Sequence, residues 1–230
     1  RLKPVICVTA QHRHMLDQVL KLFSIKPDYD LDIMQENQTL SGITAKTLLR
    51  LSNLLVSIRP DIVLIQGDTT TAFSASLAAF YQKIRIAHIE AGLRTDQKYK
   101  PFPEEINRRL CTVLADLHFA PTERAKNNLI KENIDEKNIL VTGNTAIDAL
   151  FMVLKKGHKD TLFLKNIDYS KRIILVTAHR RESFGKPFKE ICFALRELVK
   201  RNNDIELVYP VHLNPNVQNV VKKIISNIDR

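Results

Sequence analysis

The chain has 230 residues, 44% of them apolar and 26% charged, the composition of a soluble globular protein of one large or two small domains. No apolar run approaches the roughly 18 residues needed to span a bilayer, which excludes a helical membrane anchor within this sequence. The net charge is +10, but the cations are scattered, as at Lys155-Lys156, Lys171-Arg172 and Lys222-Lys223. With no long basic run and no ladder of aromatic residues to stack bases, nucleic acid is disfavoured as a partner, and so is a membrane surface. The charge also admits an anionic small substrate, or it is simply a generally basic surface. Cys7, Cys111 and Cys192 are widely spaced, odd in number and set among apolar residues. Free buried thiols in a reducing compartment are expected, with the cytoplasm as the default.

The first predicted element is a strand in Pro4–Ala10, followed by helical spacing over Met15–Phe23. Pro27–Thr39 reads as a surface loop. Ser41 is the expected cap of a long helix that Pro60 ends. Asp61–Gln66 is nearly all apolar, the mark of a strand covered on both faces. A helix at Thr71–Gln82, a strand at Ile84–Ile89 and a helix at Pro103–Ala115 follow. Next come a strand at Leu117–Ala120, a helix capped by Thr122, a strand at Asn138–Thr142 and a helix at Asn144–Lys156.

This alternation predicts an α/β protein with a Rossmann-like parallel sheet over residues 1–156. The pattern fades at 157–171, read as a linker, and restarts at 172–230 as a partial second Rossmann-like domain of two strands and two helices. Arg1 opens at the edge of a strand and the last residues lie in a helical pattern, as at cuts through a larger protein.

Ligands of doubly wound sheets bind beyond the carboxyl ends of the strands. Gly67-Asp68-Thr69-Thr70-Thr71 lies at such an end and suits an oxyanion or a sugar, or Asp68 caps the next helix. His88 and Glu90 close the next strand two residues apart, pointing to one face while the strand persists. They are either an exposed acid–base pair or a hydrogen-bonded structural one. Arg94 binds an anion or pairs with an acid. Glu104 and Glu105 open a helix, where the dipole favours acids whatever their function. Glu104 gains weight because Asp68 and Glu90 belong at the same sheet edge, and several carboxylates in one cleft can divide acid and base roles. In the second domain, His179-Arg180-Arg181 ends a strand and forms a diphosphate-type site, and His212 ends the next. Zinc spacing, a Walker A loop and Gly-x-Gly-x-x-Gly are all missing, so nicotinamide, nucleoside triphosphate and metal chemistry are disfavoured.

Taken together, several motifs resemble those of the non-hydrolysing bacterial UDP-N-acetylglucosamine 2-epimerases, from about Val5 to Val217. They are Gly67-Asp-Thr-Thr-Thr71, His88-x-Glu-Ala-Gly-Leu-Arg-Thr95, Pro103-Glu-Glu105 with Asn107-Arg108, Thr142-Gly-Asn-Thr145, His179-Arg-Arg-Glu-Ser183 and Tyr209-Pro-Val-His-Leu-Asn-Pro215. The resemblance implies a glycosyltransferase-B-like fold with the active site between two Rossmann-like domains. It implies interconversion of UDP-GlcNAc and UDP-ManNAc, by elimination of UDP to 2-acetamidoglucal and re-addition, for polysaccharide biosynthesis and with no cofactor. It places Asp68, Glu90 and Glu104 on catalytic carboxylates and His179 on an active-site histidine near the diphosphate. It makes Gln11, Arg180 and His212 substrate-binding positions and implies a homodimer.

The departures are specific. The family's opening Gly-Thr-Arg-Pro-Glu loop and its later Asp-Ser-Gly-Gly and Gln-Glu-Glu segments are not in this sequence. Activity would then need a longer protein or a complementing polypeptide. The alternative is an inactive remnant or subunit that at most binds UDP-sugar weakly. Gln11, Glu104, Arg180 and His212 also match the family's regulatory UDP-GlcNAc site, but His14 and Asn37 stand where Gln and Arg are usual.

Overall fold

The computed structural model describes residues 2–10, 13–35, 38–157, 162–180 and 183–225, with only the backbone of residues 14, 15, 162 and 163. The chain forms two compact units, Arg1–Gly157 and His158–Arg230.

The first unit opens with β1 (Cys7–Val8), α1 (Arg13–Phe23), β2 (Tyr29–Asp30) and α2 (Leu40–Ile58). It continues with β3 (Ile62–Gln66), α3 (Thr70–Tyr81), β4 (Arg85–Ile89) and α4 (Glu104–Leu114). It closes with β5 (Leu117–Ala120), α5 (Glu123–Lys131), β6 (Ile139–Val141) and α6 (Thr145–Lys155). The strands form a two-stranded sheet, β1-β2, and a four-stranded sheet in the order β3-β4-β5-β6. Every pairing is parallel, as expected from strands joined through helices.

The main core lies between the sheet and the α2–α3 pair. Leu51 and Leu55 of α2, Ala75, Ala78 and Ala79 of α3, and Ile65 and Ile86 of the strands are buried together, with Cys111 of α4. The alanines let α3 approach the sheet and α2 closely. A second cluster of Ala91, Ala120, Ala125, Leu129 and Ile139 seats α5.

Several boundaries differ from the sequence reading. The loop expected at 27–39 contains β2, held to β1 because Asp28 and Tyr29 both donate to the Ile6 carbonyl. Thr39, not Ser41, caps α2, its hydroxyl accepting from the Gly42 N–H at 3.1 Å. Asp61–Gln66 is not covered on both faces. Ile65 is buried, but Leu64, which points to the opposite face of the sheet, is 60% exposed.

The second unit contains a helical turn, α7 (Leu162–Lys165), inside the segment read as a linker. It then runs β7 (Arg172–Leu175), α8 (Lys186–Arg201), β8 (Ile205–Val208) and α9 (Pro215–Ile224). β7 and β8 pair in parallel. Phe188 and Cys192 of α8 pack with Val217, Val221 and Ile224 of α9, so this unit has its own small core. Among the described residues no helix is long and apolar enough to cross a membrane.

Candidate active site

The turn after β3 is built around Gly67, whose φ of +71° suits glycine. Its N–H donates to the Ile89 carbonyl at 3.0 Å, tying the turn to the end of β4. The residue that caps α3 is Thr69, its hydroxyl accepting from the Ala72 N–H at 3.1 Å. Asp68 is therefore free of the capping role. Its carboxylate pairs with Arg108 Nη2 at 2.5 Å, and its carbonyl accepts from Asn107 Nδ2 at 2.9 Å. Both partners come from α4.

His88 and Glu90 separate in role. His88 is fully buried and its Nε2–H donates to the Gly67 carbonyl at 2.8 Å. Burial pushes its pKa down to about 4, against the help of the Gly67 carbonyl, so the ring is neutral at ordinary pH. It pairs in register with His118, another buried imidazole whose pKa burial also lowers. His88 thus holds the Asp68 loop from inside and is no surface acid or base.

Glu90 lies just past the strand with φ +68°, so it does not share a strand face with His88 as expected. Left-handed backbone at a non-glycine residue is strained, and such strain gathers at functional sites. Its carboxylate reaches back over the turn: a Cβ built on Gly67 would lie 3.9 Å from Glu90 Oε2. It is half-buried and makes no hydrogen bond or ion pair among the described residues. Glu90 Oε2 thus approaches the glycine that precedes Asp68.

Glu104 and Glu105, adjacent in sequence, face different surroundings because successive helical residues turn by about 100°. Glu104 is half-buried, without an ion pair or hydrogen bond among the described residues. Glu105 is 1% exposed and accepts from the Thr95 N–H at 3.0 Å, the Asp96 N–H at 3.3 Å and the Arg109 guanidinium at 3.2 Å. Burial pushes its pKa up, but these donors overcome that and hold it below the ordinary carboxylate range.

Arg94 pairs with an acid. Its guanidinium, 2% exposed, makes a bidentate pair with Glu132 at 2.8 and 2.7 Å and donates to the Thr112 hydroxyl at 2.9 Å. Glu132 also takes Arg109 Nη1 at 3.0 Å. An unbroken chain of charges therefore runs Asp68–Arg108–Glu105–Arg109–Glu132–Arg94. Beside it a cleft of about 320 Å³ is lined by Arg94, Thr95, Arg108, Thr122, Arg124 and Asn128.

In the second unit His179 and His212 stack, with ring centroids 4.8 Å apart and planes at 27°. His212 Nδ1 accepts from the Asn214 N–H at 3.0 Å, which puts the proton of the neutral ring on Nε2. The Tyr209 hydroxyl donates to the Ala178 carbonyl and steadies the strand end before His179. His179 and Arg180 are exposed, and the Arg180 guanidinium has no partner among the described residues. Stacked imidazoles beside a free guanidinium offer donors to an anion. Gln11 and Asn37 lie outside the described residues, as do Arg181 and Glu182.

The sequence reading gave no separate role to Asn107, Arg108 or Glu132. For Arg108 a signal was present, since it follows Glu104 and Glu105 at helical spacing. For Glu132 there was none.

A family model described as UDP-N-acetylglucosamine 2-epimerase matches residues 1–230. The UDP-N-acetylglucosamine 2-epimerase of Escherichia coli (strain K12) is 53% identical over 230 residues, covering 97% of this chain and 61% of the relative. That of Bacillus subtilis (strain 168) is 54% identical over 225 residues, covering 98% and 59%. Among solved structures, the UDP-GlcNAc 2-epimerase from Neisseria meningitidis bound to UDP-GlcNAc superposes with a TM-score of 0.91 at 51% identity, covering 98% of this chain and 62% of that one. The S. aureus MnaA–UDP co-structure gives 0.91 at 49% identity, covering 100% and 60%. The chain thus spans about 60% of the length of these relatives.

Proposed function

Because the chain belongs to the UDP-N-acetylglucosamine 2-epimerase family, we propose that it carries the carboxylate side of a C2 epimerisation of UDP-GlcNAc to UDP-ManNAc. The reaction removes a weakly acidic proton from C2 while UDP leaves C1, giving 2-acetamidoglucal. It then returns a proton to the other face of C2 as UDP adds back. Bases are needed on both faces, and Asp68, Glu90 and Glu104 are the candidates. The departing diphosphate needs positive or hydrogen-bonding groups, and His179, Arg180 and His212, with Gln11, are assigned to it. No cofactor enters the scheme. The reading includes a cytoplasmic site of action, supported by three cysteines free of disulfides, and a homodimer or a complementing polypeptide as partner.

The observation that carries this reading is the release of Asp68 from helix capping. Thr69 takes the cap, Arg108 and Asn107 fix Asp68, and the unpaired carboxylate of Glu90 approaches the neighbouring Gly67. Incubation with UDP-GlcNAc in deuterium oxide tests it. Deuterium at C2 of the recovered sugar nucleotide is expected, and Asp68→Asn is expected to cut exchange by at least about 100-fold while the fold persists. The alternative reading is a subunit that binds UDP-sugar weakly without turnover. Calorimetric binding of UDP with no deuterium at C2 would decide for it.

A further inference from the structure

Glu105 is the acid of the pair at the start of α4 to which the proposed chemistry gives no part. It is also the more tightly held. One oxygen, Oε2, takes the Thr95 N–H at 3.0 Å and lies 3.5 Å from Arg108 Nη1. The other, Oε1, takes the Asp96 N–H at 3.3 Å and the Arg109 guanidinium at 3.2 Å. With its side chain 1% exposed, its geometry is fixed by packing as well as by bonds. A buried carboxylate with this many donors is costly to disturb.

Three of these four contacts lead towards the proposed acids. Arg108 Nη2 ends on Asp68 at 2.5 Å. A guanidinium on a flexible stem with a single partner can swing. One pinned between Asp68 and a buried Glu105 presents a defined edge. Thr95 and Asp96 belong to the loop that leaves Glu90, so their N–H bonds fix where that loop runs. Glu104 precedes Glu105 on the same helical turn. We infer that Glu105 is a positioning residue: through Arg108 it orients Asp68, and through Thr95 and Asp96 it registers that carboxylate against the Glu90 loop. The inference rests on the epimerase reading for its catalytic consequence, but not for its structural one.

The test uses the chain carrying 13Cγ-labelled aspartate. Glu105→Gln removes the charge that holds Arg108. Glu132→Gln is the control, since it removes charge from the same network two ion pairs further from Asp68. Three quantities are read: the melting temperature, the Asp68 carboxyl resonance, and kcat and KM for deuterium exchange at C2. Glu105→Gln should move the Asp68 resonance and lower kcat by about 10- to 100-fold with a much smaller change in KM. Glu132→Gln should lower the melting temperature yet leave the resonance in place and kcat within about threefold. An unmoved Asp68 resonance in folded Glu105→Gln would overturn the inference, as would an equal movement in Glu132→Gln. If Glu105→Gln does not fold, Glu105→Asp is read the same way, because the shorter side chain cannot reach Thr95 and Arg108 together. A wild-type chain without exchange would sink the proposed activity alone, and the Asp68 resonance would still decide the positioning role.

Discussion

Asp68 in the first unit is held by side chains that arrive 39 and 40 residues later in the sequence, Asn107 and Arg108. His212 in the second unit is held by a backbone N–H only two residues away. The same contrast runs through both sets of polar groups. Around Asp68, buried His88, Glu105 and Arg94 fix the loops through tertiary contacts, each partner fixed in turn. Around His179 and Arg180 there is a ring stack, a Tyr209 hydroxyl and open solvent. The first arrangement suits groups that must meet a reacting carbon within fractions of an ångström. The second suits groups that take hold of a charged, mobile ligand and let it go.

The contrast can be broken most severely at Gly92. Its φ is +84°, and a Cβ there would lie 2.2 Å from the Ala125 carbonyl oxygen and 2.9 Å from Leu129 Cγ. Gly92→Ala must push α5 away from the loop that carries Arg94. A loss of about 4 kcal/mol or more is expected, read as a fall in the urea midpoint or as failure to fold.

Acid should act next. His88 has a folded pKa of about 4 against an ordinary 6.5, so the unfolded chain binds the proton first. The stability it contributes is complete above about pH 6.5 and is lost as pH falls towards 4. The loss over that window is about 3 kcal/mol for this group. Urea unfolding at several pH values should show it, and His88→Gln should flatten the slope. An equal slope in the variant would assign the acid sensitivity elsewhere.

The smallest effect is expected in the second unit. His212→Ala should change unfolding free energy by no more than about 0.5 kcal/mol, because one local backbone contact and a half-exposed stack are lost. Calorimetric titration of the same variant should show weakened UDP binding. A large loss of stability would mean that the second unit fixes its polar groups as firmly as the first.

The alternation of elements and the strand ends that carry polar groups were legible because they depend on period and local breaks. What the sequence left open were choices between neighbours. Asp68 and Thr69 are both good caps, and Thr69 takes the role while α4 claims Asp68. Thr39 and Ser41 pose the same choice at α2. Glu104 and Glu105 carry the same chemistry one residue apart, and only tertiary packing decides which is buried. The partner of Arg94, Glu132, lies 38 residues on, beyond any local pattern. Leu64 read as covered because apolar runs do not reveal which sheet face lacks a neighbour.

Glu132 also sets the size of the smallest transplantable piece. The charge chain that begins at Asp68 closes only just past α5, where its C-cap residue Glu132 takes both Arg94 and Arg109. A design that grafts the carboxylate edge onto another parallel sheet must therefore carry β3 through α5 as one cassette. Cutting after α4 would strand Arg94 in the interior with its charge uncompensated, so a shorter graft would bring the acids along in a piece too unstable to fold.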